Sequence, residues 1–130
     1  MSGRTLISSG SYLEPVIGFS RAVRVGNIVS VGGTAPIAAG GGTAAKGDVY
    51  GQTKRCLEII EKALRDAGSR LEDVTRTRII LTDISRWEDA ARAHAEAFGS
   101  IRPVTTTMAV TAFVDPDWLV ELEVDAVIPV

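Results

Sequence analysis

The segments 104–111 and 119–128 flank the turn-forming run Val114-Asp115-Pro116-Asp117, and both alternate apolar and polar residues with a period of two. This pattern constrains the fold more than any other in the chain. A period of two sends successive side chains to opposite faces of a strand, so each segment reads as a strand with one buried and one uncovered face. In 119–128, Val120, Leu122, Val124, Ala126 and Ile128 share one face, and Glu121, Glu123 and Asp125 share the other. In 104–111, Val104, Thr106, Met108 and Val110 alternate with Thr105, Thr107, Ala109 and Thr111. The Thr105 set is expected beside the carboxylates, with the Val104 set facing the core. A sheet of such strands is covered on one side only. Doubly covered parallel sheets need strands that are apolar throughout.

Elsewhere the chain supplies the other strands and the cover. Residues 4–8 read as a short strand. Residues 19–25 and 28–34 form a hairpin about Gly26-Asn27, residues that tolerate the positive φ of a two-residue turn. The Ala/Gly-rich 36–47 is a loop. In 48–67, Cys56, Leu57, Ile59, Ile60, Ala63, Leu64 and Ala67 recur at helical spacing, with Asp48 placed to cap the start and Gly68 the end. Residues 74–82 form a strand. Asp83 or Ser85 caps a second helix, 86–98, whose stripe is Trp87, Ala90, Ala91, His94 and Phe98. The order is β-β-β-α-β-α-β-β. Each helix has one apolar stripe, so both are expected on one sheet face in an α+β two-layer arrangement. The bare face, mixing threonines, arginines and carboxylates with Val29, Val31 and Ile80, suits contact with copies of the chain.

The 130 residues suit one domain, 1–130, large enough to bury a core without covalent staples. A net charge of -2 gives no bulk attraction to nucleic acid or an anionic membrane. No apolar run reaches membrane-spanning length. Cys56 is the sole cysteine, which excludes an intrachain disulfide and a multi-cysteine zinc site and suits a reducing, cytoplasmic compartment. The glycines form neither GxxxxGK[ST] nor GxGxxG before a helix, and His94 has no ligand-spaced companion, so no cofactor or metal is expected.

Glu121, Glu123 and Asp125 are candidates for a general base or a water-orienting carboxylate. Arg76 and Arg78, alternating on their own strand, would neutralise some of them. Glu121, nearest the start of its strand, is favoured. Thr105, Thr106 and Thr107 are candidate ligand donors, although threonine is also simply a good strand residue. Gly33 marks a close backbone approach. Arg21, on the face of Phe19, is placed either to hold a ligand carboxylate or to pair with the acidic strand. His94 reads as a packed, hydrogen-bonded residue and Cys56 as a small buried hydrophobe.

The stretches GFSRAVRVGNIVSVGGTAP (18–36), QTKRCLEIIEKALRDAG (52–68), DVTRTRIILTDISRWEDA (73–90) and, within 98–127, RPVTTT and LVELEVDAV together resemble the Rid family, also called YjgF/YER057c/UK114. The resemblance covers nearly the whole chain. It implies a chorismate-mutase-like fold and a homotrimer with small-molecule clefts between subunits. It also implies an enamine/imine deaminase type of hydrolase, in which Glu121 handles water while Gly33 and Phe19 complete the cleft. Active relatives hold the substrate carboxylate with an arginine two residues after the proline equivalent to Pro103. Here that residue is Thr105, with Thr107 two further on, and Phe19 lacks a tyrosine's hydroxyl. Charge-assisted hydrogen bonds are about twice as strong as neutral ones. The resemblance is therefore to subfamilies lacking the arginine. The expected activity is hydrolysis or binding of a reactive metabolite other than a typical 2-iminoacid, with Thr105, Thr107 and Gly33 as contacts and Arg21 as a replacement cation. The alternative is a non-catalytic trimer binding small molecules or proteins.

Overall fold

The computed structural model describes residues 3–130; the first two residues of the expected 1–130 domain lie outside the described residues. Six strands, β1 (Arg4–Ile7), β2 (Ala22–Val25), β3 (Ile28–Thr34), β4 (Val74–Leu81), β5 (Val104–Ala109) and β6 (Val120–Val127), form one sheet in the order β1-β2-β3-β6-β4-β5. Two helices, α1 (Val49–Asp66) and α2 (Trp87–Phe98), cover it. All neighbours are antiparallel except β4 and β5, which run parallel and are joined by α2, the kind of crossover a parallel pair requires. The segments on either side of the 114–117 turn are not neighbours, because β4 lies between β5 and β6. The architecture is the expected α+β two-layer fold.

Helix α1 starts where Asp48, in extended conformation, accepts a hydrogen bond from Gly51 N. It buries Cys56, Leu57, Ile60, Ala63 and Leu64 against the sheet, where Val29, Leu81, Val120, Leu122 and Val124 meet them. Its buried row also holds Gln52 and Thr53, which the apolar periodicity omits. The stripe of α2 is rotated from the expected one. Ala90, Ala93 and Phe98 are buried, whereas Trp87 is 50% exposed. Trp87 occupies the first position of the helix, one turn before the first buried residue, Ala90.

Two facial assignments are corrected. Val29 and Val31 pair with Ala126 and Val124 and lie in the core, not on the bare face. In β5 the phase is reversed. Thr105 pairs with Thr77 and Thr107 with Ile79, both buried, so Thr105 and Thr107 lie on the helix-facing side. Val104 and Thr106 pair with Arg76 and Arg78 on the carboxylate side. A shift of one residue exchanges the faces of a strand. The run Val-Thr-Thr-Thr-Met-Ala has threonine in both phases, and β5 is an edge strand whose residues are mostly exposed on either side. The alternation therefore did not fix which face was which.

Candidate active site

On the uncovered face, β6 presents Glu121, Glu123 and Asp125 opposite Ile80, Arg78 and Arg76 of β4. Arg78 Nη1 contacts Glu123 Oε1 at 2.6 Å, and Arg76 Nε lies 3.8 Å from Asp125 Oδ2. These two carboxylates are neutralised by their cross-strand partners. Glu121 faces an isoleucine, and among the described residues it has no ion pair or hydrogen bond at contact distance. Burial pushes its carboxyl above its ordinary value of 4.5; Arg21 opposes that rise and Glu123 reinforces it.

On its other side Glu121 meets a bulge. Val31 pairs with Val124 and Thr34 with Leu122, so three steps along β3 span two along β6. The extra residue falls at Gly32-Gly33, and bulges of this kind recur beside active sites. A Cβ added at Gly33 would stand 2.9 Å from Glu121 Oε1, so glycine there leaves room for the carboxylate.

The bulge is held by Arg21, only 4% exposed. Its Nη1 donates to Gly33 O at 2.6 Å, Gly32 O at 3.2 Å and Thr34 Oγ1 at 3.1 Å, and its Nε donates to Ser9 Oγ at 3.3 Å. The guanidinium carbon lies 5.1 Å from the centre of the Phe19 ring, within cation–π range. Burial draws its pKa below arginine's ordinary value, while Glu14, Glu121 and the Cys56 thiol push the other way. An arginine in this setting keeps its charge.

The approach to Phe19 is shaped by Glu14. Its Oε2 accepts from Ser9 N at 3.0 Å, Ser9 Oγ at 3.1 Å and Ser11 N at 3.2 Å. Burial raises the Glu14 carboxyl, but bonds from Ser8, Ser9 and Ser11 outweigh it and hold the group below its usual range. Residues Glu14–Gly18 form a single π-type turn, closed by Phe19 N donating to Glu14 O at 3.1 Å. The result is a pocket of about 130 Å³ in which Glu121, Arg21, Phe19 and Gly33 meet Ser11, Leu13, Ile17, Val114 and Trp118.

Four of the six expected site residues are thus brought together. Thr105 and Thr107 are not among them. Thr105 is exposed, and its Oγ1 lies 2.8 Å from Thr77 Oγ1 and donates to Pro103 O at 3.1 Å. Thr77 Oγ1 is in turn 2.8 Å from His94 Nε2, and the His94 ring lies 4.8 Å from Phe98. Burial lowers the His94 pKa below 6.5. His94 is thus a packed, hydrogen-bonded residue as expected. Cys56 is fully buried, with its thiol pushed up by that burial.

Sequence reasoning missed Gln52. Its Nε2 donates to Asp117 O at 2.9 Å, and its Oε1 accepts from Leu119 N at 2.8 Å. One side chain therefore clasps the loop that carries Val114 and Trp118 into the pocket and delivers β6 to Glu121. The available signal was an amide on the buried side of α1. Ser9, Ser11 and Glu14 were also missed; their signal was a cluster of short hydroxyl side chains followed by an acid, the composition of a self-bonded loop.

The chain is thus a small one-sided α+β sheet protein with a half-buried, unpaired carboxylate beside a glycine bulge, at the wall of a compact pocket. Residues 9–128 match the family model described as Endoribonuclease L-PSP, and the chain belongs to that family, within the Rid (YjgF/YER057c/UK114) superfamily. A Mycobacterium tuberculosis member of the YjgF/YER057c/UK114 family is 49% identical, with a TM-score of 0.87 over 96% of this chain and 99% of that one. An uncharacterized protein of Streptomyces coelicolor is 40% identical, covering 92% of this chain and 89% of its own length. The 3-aminoacrylate deaminase RutC of Acinetobacter baylyi is 33% identical over 83% of this chain and 85% of its own. Among the described residues, no helix is long and apolar enough to cross a membrane.

Proposed function

We propose that the chain hydrolyses a small reactive enamine or imine, with Glu121 handling the water. The observation that carries this reading is the singular environment of Glu121. Its two neighbours on β6 are paired with arginines, whereas Glu121 is unpaired, half-buried and turned into a pocket. Its raised pKa makes it a better base than an ordinary surface carboxylate. In the reaction, an enamine first takes a proton from solvent at its β-carbon to become the protonated imine, and water adds to the carbon of the protonated imine as one water proton passes to Glu121. Glu121 returns that proton to the nitrogen of the adduct, the C–N bond breaks to release ammonia, and the adduct's hydroxyl gives its proton back to Glu121 to leave the carbonyl. A relative named as a 3-aminoacrylate deaminase supports this class of chemistry. The family's description as an endoribonuclease fits the pocket less well. A pocket of about 130 Å³ with largely apolar walls, in a chain of net charge -2, lacks the cationic surface a polyanion needs.

The working form is proposed to be a homotrimer in the cytoplasm, with Thr105 and Thr107 of one copy facing the Glu121 pocket of the next. In support, the uncovered face exposes Leu6, Val25, Ile28, Val104 and Val127, more apolar surface than a carboxylate-bearing face needs in water. The test generates imines with an amino-acid or amine oxidase and lets semicarbazide compete for them. Acceleration that Glu121→Gln reduces by about 10²-fold or more supports the assignment. If no imine is hydrolysed faster with the protein than without it, the reaction is wrong and a binding trimer is left.

A further inference from the structure

A second cavity, of about 140 Å³, adjoins the Glu121 pocket and shares Arg21, Ser11, Ala35 and Ile37 with it. Its far wall comes from α1, through Arg55 and Ile59, and from the loop after β3, through Ala38 and Ala39. Among the described residues, two guanidiniums line it and no carboxylate does. Both arginines are fixed by bonds that leave one end of the fork over. Arg21 spends Nε and Nη1 on Ser9 and the β3 bulge. Arg55 donates from Nε to Ile37 O at 2.7 Å, and its Nη1 meets Glu58 Oε1 at 3.2 Å. Among the described residues neither Nη2 has a partner, and no buried side-chain nitrogen or oxygen is left unbonded, so both Nη2 groups reach open space. For Arg21, only 4% exposed, that space is the cavities it lines. The Ser11 hydroxyl accepts from Leu13 N at 3.3 Å and keeps its own proton to give. Glu14 and Glu58 offset part of the positive charge, but Glu14 Oε2 is taken up by Ser9 and Ser11, and the Glu58 side chain is 65% exposed.

Donors of this kind suit an anion, and the backbone decides which. The N–H groups of Gly10, Ile37, Ala38 and Gly41 are bonded within their own loops, to Ser8 Oγ, Ala35 O, Gly42 O and Ala38 O. A phosphate draws on a nest of free N–H groups, whereas a planar carboxylate needs only the guanidinium fork. The rest of the wall is mostly alanine and isoleucine, and the volume lies below the roughly 300–1,000 Å³ of drug-sized sites.

We propose that this cavity is a second ligand site, taking a short aliphatic carboxylate. The Nη2 groups of Arg21 and Arg55 and the Ser11 hydroxyl hold the head, and the chain lies on Ile37, Ala38 and Ile59. The site needs no turnover at Glu121, so binding alone tests it. Titration calorimetry of the full chain compares butanoate, its near-isosteric neutral amide butanamide, and inorganic phosphate. Butanoate should bind at least about tenfold tighter than either, since charge-assisted bonds carry the affinity. Arg55 and Ile59 line this cavity and not the Glu121 pocket, so they locate the ligand. Arg55→Gln should weaken butanoate by about tenfold or more. Ile59→Trp, which fills the cavity and keeps both cations and the Ile37 bond, should weaken it at least as much and is the deciding variant. Unchanged butanoate affinity in Ile59→Trp puts the carboxylate elsewhere and overturns the proposal. So does butanoate binding no tighter than the amide or phosphate, or butanoate that does not bind at all.

Discussion

At the residue scale, Glu121 is held in a state that costs the fold something. Its carboxyl titrates above 4.5 because burial disfavours the charge. Between that ordinary value and the raised one, the native state binds more protons than the unfolded chain. Stability conferred by the protonated form is therefore lost as pH rises through this window. Glu121→Gln removes the charge, so the variant should melt higher than the parent at pH 7–8 and show a flatter pH profile just above 4.5. Thermal melts across pH read this directly; a lower melting point for Glu121→Gln at neutral pH would contradict the burial argument. The same shift should move the acid limb of kcat/KM above the usual carboxylate range. Gly33→Ala is the complementary change. The φ of Gly33 is not in the positive range, so alanine fits the backbone, but its Cβ would push Oε1 away. Stability should change by less than about 1 kcal/mol, while turnover falls by roughly 10²-fold through displacement of the carboxylate. Urea unfolding and turnover, measured on the same preparation, separate the two effects.

At the scale of elements, the clasp made by Gln52 joins α1 to the start of β6. Gln52→Leu keeps most of the volume but leaves Leu119 N and Asp117 O without their partner. The expected loss is roughly 2–4 kcal/mol in urea unfolding, with turnover falling further because the Val114–Trp118 wall loosens. The elements themselves were legible because they are written in period. The α1 stripe, the alternation of β6 and the Gly-Asn hairpin each specify one local structure. The two helices had only one face to bury, which set the layers. The phase of β5 was illegible for the opposite reason: threonine suits a buried and an exposed strand face almost equally. Gln52 was illegible because its function lies in backbone groups sixty-five and sixty-seven residues away, and an amide in a helix announces no partner. Glu121 was favoured in the sequence for its place at the start of its strand, but the physical difference from Glu123 and Asp125, an isoleucine opposite it in place of an arginine, lies in the register.

At the scale of the whole molecule, the corrected phase of β5 has a geometric consequence. Thr105 and Thr107 point to the helix side of an edge strand, and Glu121 points to the uncovered side of a central strand two places away. Within one chain they cannot line the same pocket. If both serve one cleft, as the family resemblance implies, the cleft is built from two copies. Subunit complementation tests this. Thr105→Trp would block the β5 half of the cleft and Glu121→Gln the β6 half, each variant alone being nearly inactive. Mixed trimers formed from equal amounts of the two by co-expression should regain activity, because some clefts combine an intact Glu121 from one variant with an intact Thr105 from the other. With random assembly in a cyclic trimer, about a quarter of the clefts have both halves intact. Recovery near that fraction, together with a trimer mass by light scattering, would place the two halves in different copies. If co-expressed variants stay as inactive as each alone while still forming mixed trimers, the two residues do not meet across an interface, and Thr105 is simply a strand residue bonded to Thr77.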